Sequence, residues 1–165
     1  RWDNSGKFRL NRASDGIAQS WAYSTVDAAT IRVAKVSKVH TADLFDAVGL
    51  TDSVVVWAQP AGTVLLCAKM RLQAQFVATS MTDLDVTIGD ATDNDGLLLT
   101  TTNMTSDAVD TEYTSRGAYW DTSAEGCFWY ANAATNWTAY ATAVGANLST
   151  TSAGQLDFYF TYLQP

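Results

Sequence analysis

The chain has 165 residues, 47% of them apolar and only 16% charged, with a net charge of −7 and two cysteines. That length and apolar content exclude a disordered chain and predict one domain that needs neither a metal nor a disulfide framework to fold. The acidic balance argues against nucleic acid as a partner, and no apolar run approaches the ~20 residues of a membrane-spanning helix.

Residues 1–16 mix Asn, Ser, Gly and Asp with scattered Trp2, Phe8 and Leu10 and show no period, so they read as an extended N-terminal arm. They also carry Arg1, Lys7, Arg9 and Arg12 against a single Asp3, a basic start on an acidic body. They do not read as a secretory signal. Residues 17–165 form the second unit, a β domain. Within it, 17–26 and 29–39 have strand composition, and 41–49 is read as extended.

Residues 53–59 (SVVVWAQ) are the next strand, and Pro60-Ala61-Gly62 is a turn signal. The most regular stretch of the chain follows, 63–76. Val64, Leu66, Ala68, Met70, Leu72, Ala74 and Phe76 alternate with polar residues that include Lys69, Arg71, Gln73 and Gln75. A period of two sorts these side chains onto opposite faces of a strand, which no helix does. This strand and the preceding one are expected to form a hairpin through the Pro-Ala-Gly turn. Cys67 shares parity with Lys69 and Arg71 and is expected to be partly exposed, as a free thiol.

Residues 83–89 alternate again, 90–96 (DATDNDG) are a dense turn, 97–101 resume a strand, and 102–111 are loop-like. Short aromatic pieces follow at 113–120 and 127–130, then closing strands at 137–144 and 155–163. In the last, Leu156, Phe158, Phe160 and Tyr162 alternate with Asp157, Tyr159 and Thr161, a pattern that places it centrally in its sheet. Eight or nine strands with almost no helical periodicity predict an all-β antiparallel β-sandwich of the jelly-roll type.

No catalytic signature emerges. His40 is the only histidine, and no GxSxG nucleophile motif accompanies it. The carboxylates clustered from Asp83 to Asp95 and the six tryptophans suit a carbohydrate cleft, but Asp in turns and Trp in a sandwich core explain them better. A calcium loop of the EF-hand kind aligned on Gly96 puts Asp93 and Asp95 at ligand positions but Ala91 and Thr102 where acids belong. Asp90, Asp93 and Asp95 thus remain only a weak calcium candidate. No cofactor is expected, and no phosphate-cradling glycine loop or CxxC pair is present.

Three segments carry a family likeness: VHTADLFDA at 39–47, PAGTVLLCAKMRLQAQF at 60–76, and LDVTIGDATDNDGLL at 84–98. Together they resemble head decoration (cement) proteins of tailed bacteriophages, small structural proteins of β-sandwich or jelly-roll type. The likeness spans about 36–99, with a looser match at 155–163; it lends no catalytic residues. It implies a virion protein, not an enzyme, on the outer capsid surface, where such proteins sit as homotrimers and staple neighbouring major capsid protein subunits. In that role Arg1, Trp2, Lys7, Phe8, Arg9, Leu10 and Arg12 would form a capsid-binding arm. Tyr113, Tyr119, Trp120, Phe128, Trp129, Tyr130 and Trp137 would form the oligomer interface. A tail, neck or head-fibre module that binds host-surface glycans is the alternative.

Overall fold

The computed structural model describes residues 30–39, 45–99, 103–121, 129–131 and 133–164. The described residues form eight strands and two single turns of helix: β1 (Thr30–Val39), β2 (Thr51–Gln59), β3 (Val64–Val77), β4 (Asp83–Gly89), β5 (Glu112–Tyr113), α1 (Ala118–Asp121), β6 (Trp129–Tyr130), β7 (Thr135–Val144), a 3-10 turn at Leu148–Thr150, and β8 (Ala153–Gln164). The arm at 1–16, the strand expected at 17–26, His40 and Cys127 lie outside the described residues.

Two antiparallel sheets face each other. The first runs β1-β8-β3-β5, with β6 also on β3; the second runs β2-β7-β4. Leu98 bridges Ile88 beside β4 and so extends the second sheet by one contact. Strands β1 to β4 alternate between the sheets, and the first described strand lies beside the last. This is the order of a jelly roll, the sandwich type expected from the number and spacing of the strands.

β8 sits between β1 and β3, the central position expected from its aromatics. Leu156, Phe158 and Phe160 turn inward and are fully buried. They meet Leu65, Met70 and Leu72 from β3, Leu84 and Ile88 from β4, and Trp137 from β7. Each such side chain contributes roughly 1.5–3 kcal/mol of transfer free energy. Trp57 of the second sheet stacks on Phe160 at 4.7 Å between ring centroids and ties the layers together.

Two expectations about β3 change. First, β2 and β3 do not form a hairpin: β2 pairs with β7 and β3 with β8, so the Pro60-Ala61-Gly62 turn carries the chain from one sheet to the other. Both strands have a core face, and stacking them across the sandwich buries both faces. The crossing is fastened by Gly62 at φ 78°, whose N–H donates to the Ala131 carbonyl, and by the buried Gln59 and Thr63 at its ends. Second, the alternation slips at its start. A bulge between Leu65 and Cys67 buries Leu65 fully, leaves Leu66 half-buried and turns Cys67 outward as a free thiol. From Ala68 to Phe76 the predicted phase returns. Further shifts after Leu72 and Ala74 bend the strand, as bulges do.

Elsewhere, the described part of the strand expected at 97–101, residues 97–99, forms isolated bridges through Leu98 rather than a named strand. The aromatic piece at 113–120 splits into the end of β5 and one turn of helix. Residues 45–50 are irregular rather than extended, with Phe45 buried at φ 49°.

Candidate interaction face

Register places a row of charged and aromatic side chains across the outer face of the first sheet. Tyr159 of β8 lies opposite Lys35 of β1 and Lys69 of β3; Asp157 lies opposite Ser37 and Arg71. Residues two apart share a face, so Lys35, Asp157, Tyr159, Lys69 and Arg71 all point away from the core.

Lys35 Nζ donates to Asp157 Oδ2 at 2.7 Å, and the Tyr159 hydroxyl donates to the same oxygen at 3.3 Å. Lys35 and Lys69 sit 5.5 Å and 5.1 Å from the Tyr159 ring centroid, within cation–π range. Lys69 pairs with Glu112 at 2.8 Å and Arg71 with Asp110 at 2.9 Å. Three cations and three carboxylates thus form one cross-strand network. Its centre is dry: the Asp157 side chain is 3% exposed although it lies on an outer face, because its neighbours cover it. Burial pushes the Asp157 carboxyl up, but the hydrogen bond and charge of Lys35, with the hydroxyls of Ser37 and Tyr159, together outweigh it and hold the group below its usual range. Lys69 holds Glu112 below its range too, mainly through their hydrogen bond. Asp157 in turn raises Lys35.

One end of this face is apolar. Ile31 and Val33 of β1 are 64% and 61% exposed, and Ile31 lies opposite Leu163. The outer face of the first sheet thus carries an exposed apolar end beside an ion-paired polar network.

The residues nominated from sequence fall in other places. The arm residues Arg1 to Arg12 lie outside the described residues, as does Phe128. Tyr113 is buried on β5, its hydroxyl donating to Asp107 at 2.8 Å. Trp137 is fully buried, its Nε1 donating to Gln59 Oε1 at 2.9 Å. Both rings are buried within the chain itself, whereas an oligomer interface is expected to expose them. Tyr119 and Trp120 are half-buried on α1, joined to Asp90 Oδ1 at 2.8 Å and to the Leu97 carbonyl at 2.7 Å. Trp129 and Tyr130 form β6 beside Leu65 and Val64.

The acidic run at 90–96 serves the turn it occupies. Asp90 Oδ1 accepts from the N–H of Thr92 and Asp93 and from Tyr119, and the Tyr140 hydroxyl donates to the Asp90 carbonyl. Burial and the Asp90 hydrogen bond drive the Tyr119 hydroxyl far above its ordinary range. Among the described residues no group of three or more His, Cys, Asp or Glu side chains is placed to hold a metal ion, Asp90, Asp93 and Asp95 included.

No protein-family model and no curated protein matches the chain. Its fold is similar to that of a chain in the cyanophage Pam1 capsid asymmetric unit, with a TM-score of 0.57 at 16% identity over 93% of this chain and 100% of that one. A chain of the acidic stable capsid structure of Helicobacter pylori bacteriophage KHP30 aligns over 82% of this chain and 94% of its own, at 19% identity and a TM-score of 0.47.

Proposed function

We propose that this chain is a structural virion protein that decorates a phage capsid and stabilises it by binding across neighbouring capsid subunits. The carrying observation is the fold similarity that extends over the whole length of a chain in the cyanophage Pam1 capsid asymmetric unit. The outer face of the first sheet supports the reading: its polar groups are neutralised within the chain, and its apolar end at Ile31 and Val33 is open.

The physics is mass action. A protein that binds the assembled shell and not its dissociated subunits stabilises the shell by an amount that grows with the logarithm of its free concentration once that exceeds Kd. Bridging two subunits adds avidity, because the second contact forms at high effective concentration. In this reading the major capsid protein is the partner and the site is the outer capsid surface. Three copies gather at each position, and the basic arm with Arg1, Trp2, Lys7, Phe8, Arg9, Leu10 and Arg12 orders against acidic shell residues.

Imaging of intact particles tests it. Many copies spread regularly over the shell are expected. A few copies at a single vertex would reject decoration in favour of a tail, neck or fibre role. Deleting residues 1–12 separates the arm from the fold: a folded variant that no longer coats shells is expected, and undiminished coating would reject the arm mechanism.

A further inference from the structure

We propose that Arg71 is a two-position switch: its guanidinium passes between Asp110, on the loop before β5, and Asp157, at the centre of the outer network. The inference goes beyond the capsid reading, since it concerns charges within the isolated chain.

Arg71 is flanked on both sides. Register sets Asp157 of β8 directly opposite it, and Glu112 of β5 opposite it on the other side. A long side chain reaches either neighbour across a strand pair. In the structure Arg71 leans towards β5, where its Nη2 donates to Asp110 Oδ1 at 2.9 Å. That position leaves two groups unmatched. Lys35 and Tyr159 both take Asp157 Oδ2, and among the described residues Asp157 Oδ1 has no hydrogen-bond partner. Arg71 Nε has none either, and both atoms are enclosed. One is a donor and the other an acceptor, on facing residues of one outward face.

The two positions lie close in energy. The Asp110 side chain is 60% exposed, so water screens its pair with Arg71 and solvates it when Arg71 leaves. The Asp157 side chain is 3% exposed, and an unmatched carboxylate oxygen there carries a desolvation penalty that the Nε–H of Arg71 removes. Lys35 opposes the move, because it already sits on the same carboxylate with the same charge. Its side chain is half exposed, which weakens that repulsion.

Only one side chain moves. The Asp110 N–H donates to the Leu72 carbonyl at 2.7 Å and the Leu72 N–H to the Thr111 carbonyl at 2.9 Å, so the loop stays fastened to β3 in both positions. With Arg71 turned inward, the Asp110 carboxylate stands open at the rim of the face. A basic side chain of a partner that takes Asp110 therefore holds Arg71 on Asp157, a shift of population between two states of the same fold.

The test compares the full chain with its Asp110→Asn variant, an exposed change that leaves Asp157 untouched. A crystal structure of the variant is expected to show Arg71 Nε about 3 Å from Asp157 Oδ1. Thermal melts read the same shift in solution. Asp157→Asn should lower the melting temperature about 3 °C more in the Asp110→Asn chain than in the parent, because Arg71 now depends on that carboxylate. With Arg71→Gln in both chains, that difference should vanish. The proposal is overturned if the guanidinium of the Asp110→Asn chain stays in solvent or turns to Glu112, or if Asp157→Asn costs the same in both chains. It is equally overturned if the difference survives Arg71→Gln.

Discussion

Trp137 and Gln59 meet at the centre of the sandwich, where the indole N–H donates to the Gln59 side-chain oxygen at 2.9 Å and neither residue reaches solvent. Gln59 is the last residue of β2 and also donates to the Thr63 carbonyl at the head of β3, so one amide joins both sheets at their crossing. Gln59→Ala removes the acceptor from a buried donor and opens a cavity; a loss of about 2–3 kcal/mol in chemical denaturation is expected. Gln59→Leu with Trp137→Phe, which removes both polar groups, should lose less than the sum of the two single changes.

Lys35 and Asp157 are unequal partners. The Lys35 side chain is 51% exposed and the Asp157 side chain 3%. Asp157→Asn frees a lysine that water solvates, and should lower stability by only about 1 kcal/mol. Lys35→Ala strands a carboxylate in a covered position and should lower it further. Thermal melts of the two variants at neutral pH check the order, and equal losses would show that Asp157 is better solvated than its surroundings imply.

Acid should weaken the fold through this same network. The carboxyls of Asp157 and Glu112 are depressed in the folded chain, so the stability they add is present above the unfolded value near 4 and is lost as pH falls through the folded values. Asp157→Asn should flatten that acid limb. Asp85 has the opposite sign, raised by burial and by Asp83 on the outer face of β4. Its contribution is present at low pH and lost as pH rises through the folded value. Asp85→Asn is therefore expected to melt above the parent at pH 7 and level with it at pH 3.

Gly96 lies under the Tyr119 ring: a Cβ there would fall 2.4 Å from Cε2 of that ring. The ring is held by its hydroxyl bond to Asp90 and cannot swing aside without breaking it. Gly96→Ala should lose about 2 kcal/mol and perturb the near-ultraviolet signal of Tyr119. Gly62→Ala, where φ is 78° but nothing lies within reach, should lose roughly 1 kcal/mol through backbone strain alone. A Gly96 variant as mild as Gly62→Ala would mean that the Tyr119 ring yields.

Alternation alone determined much of this molecule. The period of two in 63–76, 83–89 and 155–163 is a local property of strands, and it located β3, β4 and β8 and the inward set Phe158, Phe160, Met70 and Leu72. The same pattern says nothing about which strand lies beside which. Pairing joins residues far apart in sequence, so only the tertiary structure sent β2 and β3 into opposite sheets. It alone buried Tyr113 and Trp137 and lined up Lys35, Tyr159 and Lys69 across three strands. An aspartate on an outward face became a buried one for the same reason: its covering neighbours come from strands that its own segment cannot name.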